Sequence, residues 1–448
     1  MDTLASLPLI GGFLSTVLPF VVVLGIVVFV HEYGHYIVAR WCGIRAEVFS
    51  IGFGPVLWSR VDRRGTLWQV AALPLGGYVK FLGDSDASSR ADPDMMEAMT
   101  PAQRAGTFHG APVGRRMLTV LAGPVANFVL TIVVFAGVIM WQGVATERPT
   151  IGQIETLPGA VDQPLRPGDV VLEVNASPVT TFDDIFLIAL EMPEPGPITM
   201  LVEREGSRIE VAAPYPFPPM VQGVEPLSPA SRAGLMRGDL ILTADGEELT
   251  AFEDLRRVVL ASESRTIPME VWRDGATVSL EITPIERDTG DGEGGFERRV
   301  MIGVAGATLY RPATETPMPW TAIAYGAERM VNVVTQSLNG IRHIIIGTIG
   351  AENLQGPLGI AQISGETAQQ GFLSFILLIA VISTAIGMLN LFPIPVLDGG
   401  HLVAFAIEAI RGRPPSPAVM QVAMSIGLGL ILLLMVFATY NDIMRLVS

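Results

Sequence analysis

The sequence predicts an α-helical, multi-pass membrane protein with four transmembrane helices and two small α+β domains inserted between the second and third of them. Half of the 448 residues are hydrophobic and only 16% are charged, whereas about a quarter are charged in soluble domains. Four long apolar runs alternate with polar stretches, which is typical of membrane spans joined by solvated segments. Between the second and third runs, short alternating strands with Gly and Pro punctuation predict the inserted domains.

The four apolar runs are each long enough to cross the hydrocarbon core of a membrane. No basic residue precedes the first run, so we expect a retained span and not a cleaved signal peptide. In the second run, Gly123 and Asn127 predict close helix approach and an interhelical hydrogen bond. The predicted spans are residues 1–40, 116–142, 371–392 and 416–441.

Basic residues predict the orientation of these spans. The loop at 41–115 is rich in Arg, the short loop after the third span carries Arg411 and Arg413, and the N-terminal tail has no basic residue. The positive-inside rule places both loops in the cytoplasm and the long middle segment outside. Residues 318–350 are apolar with interspersed charges and predict an amphipathic helix on the outer membrane surface; a fifth span is the alternative. A connecting turn is expected at 356–360.

Charge and cysteine content exclude several kinds of site. The net charge of −15 argues against nucleic-acid binding, because phosphates need a basic surface. Cys42 is the only cysteine, so an intramolecular disulfide and a cysteine-based metal cluster are excluded. Any metal must therefore be held by histidines and carboxylates.

The middle segment contains an internal repeat with a spacing of about 70 residues. The matching stretches are LRPGDVVLEVN at 165–175 and LMRGDLILTAD at 235–245. This spacing is too long for a solenoid repeat and suits two copies of a small domain, which we place at 148–217 and 218–306. The copies resemble tandem PDZ domains, a fold that binds an extended peptide at a sheet edge. Recognition of peptide ends, filtering of substrates by size and a simple spacer role all remain open.

A catalytic metal site is predicted at the inner end of the first span, where His31, Glu32 and His35 form the motif H-E-x-x-H. Residues four apart lie on one helix face, so both imidazoles can reach one ion. Zinc suits imidazole nitrogen, and a catalytic zinc keeps three protein ligands and one water. Glu32 would accept a proton from that water. An accidental match is the alternative, but three ionisable groups in an apolar run are costly and usually mark function.

The third ligand is expected just after the third span, in the stretch NLFPIPVLDGGH. Pro393 and Pro395 cannot continue a helix, which predicts an extended segment at 393–400. Irregular backbone at membrane depth is tolerated where it lines a cavity. From the residues alone, either Asp398 or His401 could complete the metal site.

These motifs together resemble the site-two protease family of intramembrane zinc metalloproteases, peptidase family M50. The H-E-x-x-H motif, the later Asn-x-x-Pro-x-Pro-x-Leu-Asp-Gly motif and the PDZ-like copies extend the resemblance over essentially the whole chain. The resemblance implies that His31, His35 and Asp398 hold Zn²⁺ and that Glu32 is the catalytic acid and base. It also implies that Asn390 contacts the substrate and that the stretch from Gly123 to Asn127 lies near the zinc site.

The family resemblance also implies further substrate-binding residues. Pro393 and Pro395 would line the substrate path, and Gly76 and Gly77 would lie in a membrane-associated hairpin within the 41–115 loop. From the residues alone, a packed surface turn is an equally good interpretation of the glycine pair.

The resemblance finally implies a cellular setting. The chain would be a multi-pass protein of the bacterial inner membrane, with its zinc site near the cytoplasmic side and its PDZ domains in the periplasm. Substrates would be single-span membrane proteins, chiefly anti-sigma factors already trimmed by another protease, and leftover signal peptides. Partners would be these substrates, peptide ends at the PDZ domains and membrane lipid. The alternative is an inactive membrane scaffold that displays PDZ domains.

Overall fold

The structure is a computed structural model that describes residues 8–85, 92–155, 157, 164–290 and 295–447. The chain divides into two compact units. The first comprises Met1–Ala136 and Ile323–Ser448, and the second comprises Gly137–Ala322.

The helices and strands are numbered in chain order. The helices are α1 (Pro8–Trp41), α2 (Pro93–Ala98), α3 (Pro101–Arg104), α4 (Val113–Gln142), α5 (Phe182–Leu190), α6 (Pro229–Arg232), α7 (Phe252–Ala261), α8 (Pro319–Ile346), α9 (Pro357–Gln369), α10 (Phe372–Asn390), α11 (Asp398–Arg411) and α12 (Pro417–Val447). The strands are β1 (Ala46–Val61), β2 (Leu67–Phe81), β3 (Val144–Ala145), β4 (Ile151–Ile154), β5 (Val170–Val174), β6 (Ser177–Pro178), β7 (Ile198–Arg204), β8 (Ser207–Ala213), β9 (Val221–Val224), β10 (Leu240–Ala244), β11 (Glu247–Glu248), β12 (Ile267–Arg273), β13 (Ala276–Ile282), β14 (Ile285–Gly290), β15 (Phe296–Met301), β16 (Val304–Gly306), β17 (Tyr310–Pro312) and β18 (Thr314–Glu315).

Four helices of the described chain are long and apolar enough to cross a membrane: most of α1, α4, α10 and most of α12. Helix α12 exposes many large apolar side chains, including Leu433 and Val436. Such a surface suits contact with lipid better than contact with water. The predicted multi-pass helical class is therefore confirmed. Helix α8 is not among the four, and its position on the membrane surface stays a prediction.

Buried hydroxyl groups join α4 to α10. Thr131 Oγ1 donates to the Ala380 carbonyl at 2.9 Å, and Ser383 Oγ donates to the Asn127 carbonyl at the same distance. Thr384 Oγ1 donates to Thr131 Oγ1, also at 2.9 Å. Because lipid offers no hydrophobic drive for helix association, hydrogen bonds of this kind help to set the register between helices.

Strands β1 and β2 form an antiparallel hairpin that folds back on itself, because residues 48–51 pair with 77–80 on one side and with 67–70 on the other. The folded-back hairpin packs on α1, where Tyr36 and Trp68 lie with ring centroids 5.2 Å apart. Between residues 53 and 61 the hairpin exposes Leu57 and other large apolar side chains. The sequence predicted a hairpin in this loop, whereas its insertion into the membrane stays a prediction.

The turn predicted at 356–360 is wrong, because helix α9 begins there at Pro357. Asp442 of α12 accepts hydrogen bonds from the backbone N–H groups of Gly356 at 3.1 Å and Gly359 at 2.9 Å. These N–H groups would otherwise be unsatisfied at a helix start. The capping carboxylate comes from a distant part of the chain, so no local pattern revealed this helix.

The extended segment predicted at 393–400 is shorter and more curled than expected. Helix α10 ends at Asn390, and tight turns follow in which the N–H of Ile394 donates to the Phe392 carbonyl at 2.7 Å. Helix α11 begins at Asp398, so Gly399 and Gly400 are helical. A Cβ on Gly399 would lie only 2.3 Å from the Phe392 carbonyl oxygen. The glycines therefore let the new helix start tightly against the turn.

The second unit contains two similar modules. Module 1 has a four-stranded antiparallel sheet in the order β6-β5-β7-β8 with helix α5, and module 2 has the order β11-β10-β12-β13 with helix α7. Each has its own apolar core, which includes Val171, Ile185 and Met200 in module 1 and Ile241, Leu255 and Met269 in module 2.

The Gly-Asp signature of the repeat has a structural cause. In module 1, Arg204 donates two hydrogen bonds to Asp169, both of 2.7 Å. In module 2, Arg273 donates in the same way to Asp239, at 2.7 and 2.6 Å. Burial opposes ionisation of Asp169, but the bonds from Arg204 and from the N–H of Arg166 outweigh it, so the pKa of Asp169 lies below its usual value.

Module 1 does not end where the sequence predicted. Strand β17 pairs with β4, and Leu309 and Tyr310 are fully buried in the core of module 1. Module 2 is therefore inserted into module 1, before its last strand, and the predicted boundary at 217 is too early. Strand β16 pairs with β9 in module 2 in the same manner. These closing strands are three residues long and carry no repeated signature that a sequence comparison could detect.

Candidate metal centre

Side chains from α1 and α11 converge on one point. Nε2 of His31 lies 3.1 Å and Nε2 of His35 lies 3.4 Å from Oδ2 of Asp398. The two Nε2 atoms are 3.2 Å apart. The histidines are one helical turn apart on α1, and Asp398 is the first residue of α11. All three side chains are largely buried.

The spacing of these three atoms fits a single tetrahedral ion. With metal–ligand distances of about 2.0 to 2.1 Å, tetrahedral ligands lie about 3.3 Å from one another. Oδ2 of Asp398 is buried and accepts no well-formed hydrogen bond, so a cation would supply the partner that this oxygen lacks. Two imidazoles and one carboxylate form the donor set of a catalytic zinc with one open position. Among the described residues, no other group of three His, Cys, Asp or Glu ligands lies so close together.

The structure separates the two candidates for the third ligand. Asp398 belongs to the converging group, whereas His401 does not. His401 lies one turn further along α11 and faces the ring of Phe405, with centroids 6.4 Å apart. It still lines the cavity beside the metal ligands.

The side chain of Glu32 lines the cavity beside the metal ligands, which has a volume of about 400 Å³. Its walls also include His35, Asp398, Asn390 and Gly77. The carboxylate can therefore exchange a proton with a molecule held next to the three converging ligands.

The glycine pair of the hairpin lies directly over this part of α1. A Cβ on Gly77 would lie 3.0 Å from Cγ of Glu32 and 2.8 Å from the Ser50 carbonyl oxygen. Gly76 has a φ of +152°, and a Cβ there would lie 2.6 Å from the ring of Phe53. Only glycine lets strand β2 pass this close to the helix.

Of the other predicted substrate-binding residues that the structure describes, one lines the cavity and two do not. Asn390 lines the cavity, and its Nδ2 donates to the Ile386 carbonyl at 3.1 Å. Pro393 and Pro395 are not among the described residues that line it. Pro395 instead packs close to Gly427 of α12. The prolines shape the turn, and no contact in the structure tests a role in substrate binding.

Helix α4 supplies groups whose place at the metal centre was not predicted from the residues. The Thr119 carbonyl accepts a hydrogen bond from Nδ1 of His35 at 2.9 Å. The carboxamide of Asn127 lies 3.3 Å from Nδ1 of His31. A Cβ on Gly123 would lie 2.3 Å from Nε2 of His35. The polar Asn in an apolar run predicted helix packing, and its proximity to the zinc site was implied only by the family resemblance.

An ion pair holds the helix that carries Asp398. Nη2 of Arg116, near the start of α4, lies 2.6 Å from Oε1 of Glu408 on α11. The guanidinium also lies over the ring of Phe405, 4.9 Å from its centroid. Both charged side chains are largely buried, so water screens this contact less than it would at an exposed site.

Comparisons with known proteins show the family. The model of the family described as Peptidase family M50 matches residues 19–434. A relative from Agrobacterium fabrum, named as a zinc metalloprotease, is 37% identical over 442 residues, which cover 98% of each chain. A Rhizobium meliloti relative with the same kind of name is 36% identical and covers 96% of each chain.

The matching proteins also include a protease named as a regulator of sigma-E. The Regulator of sigma-E protease RseP from Escherichia coli is 33% identical over 473 residues. The match covers 97% of this chain and 100% of that protein. The similarity therefore extends through the membrane helices and both modules.

Proposed function

We propose, from the premise that this chain belongs to peptidase family M50 and is a zinc metalloprotease, that it cleaves single-span membrane proteins within their membrane segments. The convergence of His31, His35 and Asp398 supports this proposal most directly. Two of these ligands belong to a helix that is long and apolar enough to span a membrane. A peptide bond that reaches them would therefore also lie at membrane depth.

We assign the zinc-ligand role to His31, His35 and Asp398, since their atoms fit one tetrahedral ion. Zinc held there would polarise the scissile carbonyl and acidify the attacking water molecule, so that it can react near neutral pH. Glu32, in the same cavity, takes up the proton of that water and returns it to the leaving nitrogen. The Thr119 carbonyl holds the ring of His35 in the orientation that points Nε2 toward Asp398.

Substrate binding requires local unwinding, because a helix uses its carbonyls in internal hydrogen bonds. Strand β2 passes over Glu32 at Gly76 and Gly77, where an unwound substrate could add alongside the hairpin. Asn390 lines the cavity and offers a carboxamide to the substrate backbone. Pro393 and Pro395, at the turn after α10, would complete this path.

We assign modules 1 and 2 to the PDZ class, on the basis of the repeated Gly-Asp signature and the matching sheets. In module 2 a cavity of about 610 Å³ lies beside α7, lined by apolar residues such as Leu255, Val259 and Ile302. An extended peptide end could bind there. The modules would also exclude substrates whose outer domains are still attached.

The proposed setting is the bacterial inner membrane, with the modules in the periplasm and the zinc site near the cytoplasmic side. The basic loop at 41–115 supports this orientation. Similarity to a regulator of sigma-E supports anti-sigma factors, trimmed beforehand, as substrates. Leftover signal peptides are a second substrate class with the same single-span form. An inactive scaffold is not favoured, because Glu32 and the three ligands are all present.

The test compares the purified chain in detergent with its Glu32→Gln variant on a labelled single-span peptide that carries the membrane segment of a trimmed anti-sigma factor. We expect cleavage inside the membrane segment by the wild-type chain and none by the variant. Both proteins should contain one zinc per chain. Equal cleavage by the two proteins, or cleavage only outside the membrane segment, would contradict the proposal.

A further inference from the structure

We propose that Asn127 is a positioning residue for zinc binding, and that its side-chain oxygen accepts the Nδ1 proton of His31. The inference rests on the function proposed above, because it concerns the orientation of a ligand in that site. Asn127 is fully buried in the middle of α4, and its carboxamide lies 3.3 Å from Nδ1 of His31.

The first step concerns the protonation of the ring. Nε2 of His31 points toward Asp398 and His35, so Nε2 is the nitrogen available to a metal. A neutral imidazole that offers the lone pair of Nε2 carries its proton on Nδ1. That proton needs an acceptor, and metal-binding histidines nearly always donate it to a carboxylate, a carbonyl or water.

His35 already has such an acceptor. Its Nδ1 lies 2.9 Å from the backbone carbonyl oxygen of Thr119. For His31, the group within reach of Nδ1 is the carboxamide of Asn127, at the longer distance of 3.3 Å. Both acceptors come from α4, so this one helix would orient both imidazole ligands of α1.

The second step concerns the direction of the carboxamide. Its Nδ2 faces the ring of His31, whereas Oδ1 is buried without a hydrogen-bond partner. A donor facing Nδ1 requires the ring proton on Nε2, and a protonated Nε2 cannot bind a metal. A half-turn of the amide exchanges oxygen and nitrogen without changing the side-chain shape. In that orientation Oδ1 accepts the Nδ1 proton, so Asn127 selects the metal-binding tautomer of His31.

The third step separates this role from simple helix packing. The hydrogen bond that joins Asn127 to α10 uses the backbone carbonyl, which accepts from Ser383 Oγ at 2.9 Å. The side chain instead reaches α1 and meets His31. The backbone carbonyl of Asn127 therefore makes the contact with α10, and the carboxamide makes the contact with the ring of His31.

The experiment measures zinc affinity of the full chain in detergent by competition with a chromophoric chelator. Asn127→Leu keeps the approximate volume but removes the acceptor, and we expect zinc affinity to fall by about 10- to 100-fold. Asn127→Asp has an oxygen at both terminal positions of the side chain, so an acceptor always faces the ring of His31. This variant should bind zinc within about threefold of wild type or more tightly. Asn127→Ala is a second variant in case leucine does not fit.

Thr131→Val is the matched control, because it removes a hydroxyl between α4 and α10 one turn away. It should lower the unfolding temperature of the metal-free protein and leave zinc affinity unchanged. The inference is overturned if Asn127→Leu and Asn127→Ala bind zinc like wild type, or if Asn127→Asp loses as much affinity as they do. If wild type itself binds no zinc, the proposed function fails as well, so the two failures are distinguishable.

Discussion

The space between α1 and α4 at the metal centre is set by the absence of a side chain at Gly123. A Cβ at this position would lie 2.3 Å from Nε2 and 2.4 Å from Cε1 of His35, and 2.9 Å from Cε1 of His31. Non-bonded carbon atoms prefer a separation of about 3.5 Å or more. In a Gly123→Ala variant, the rings or the helix must therefore move by roughly 1 Å.

A displacement of this size should disable the site more than it destabilises the fold. Functional groups must be held within about 0.5 Å of their working positions, and a misplacement of 1 Å can cost about 100-fold in rate. Extra methyl groups in a packed interior cost about 1–3 kcal/mol. For Gly123→Ala we expect zinc affinity to fall by at least about tenfold and kcat/KM by about 100-fold.

Gly137→Ala is the control on the same helix, because a Cβ there meets no atom within 4 Å. It should keep full zinc content and activity, with a gain of up to about 1 kcal/mol in stability from helix propensity. Zinc content would be measured by elemental analysis, and activity on the labelled single-span peptide. If Gly123→Ala holds one zinc per chain and cleaves like wild type, the steric reasoning is refuted.

Three further predictions follow from the metal centre and the modules. Asp398→Asn should lose most bound zinc while His401→Gln keeps it, as measured by elemental analysis; the reverse result would move the ligand role to His401. Asp169→Asn should destabilise the second unit by about 3 kcal/mol in thermal unfolding at pH 7, because it breaks a largely buried ion pair. Folding lowers the pKa of Asp169, so the stabilisation by its carboxylate is present above pH 4 and disappears as the pH falls further. Wild type should therefore lose more stability than the Asp169→Asn variant between pH 6 and pH 3. Parallel losses in the two proteins would contradict the assignment. Both modules can be removed by replacing residues 146–313 with an Asn-Gly turn, which joins the paired strands β3 and β18. This variant should still cleave a trimmed peptide and should accept a broader range of substrates. Loss of all cleavage would contradict the filter role.

The features that the sequence determined are those encoded within one element. The four apolar helices follow from runs long enough to span the hydrocarbon core. His31 and His35 share a helix face because their spacing matches one turn. The repeated Gly-Asp signature marks both modules because the same short stretch occurs twice, at 165–175 and at 235–245. Local periodicity and local chemistry were sufficient for each of these.

The tertiary structure decided which elements meet. Asp398 and His401 are one turn apart on α11, and only the packing of that helix brings Asp398 within 3.1 Å of His31. In the same way, β17 completes module 1 and the Asn127 side chain meets His31. Contacts between distant parts of a chain depend on the shapes of whole elements and on the atoms left unsatisfied between them. No single stretch of sequence records those shapes, so these pairings appear only when the elements are packed.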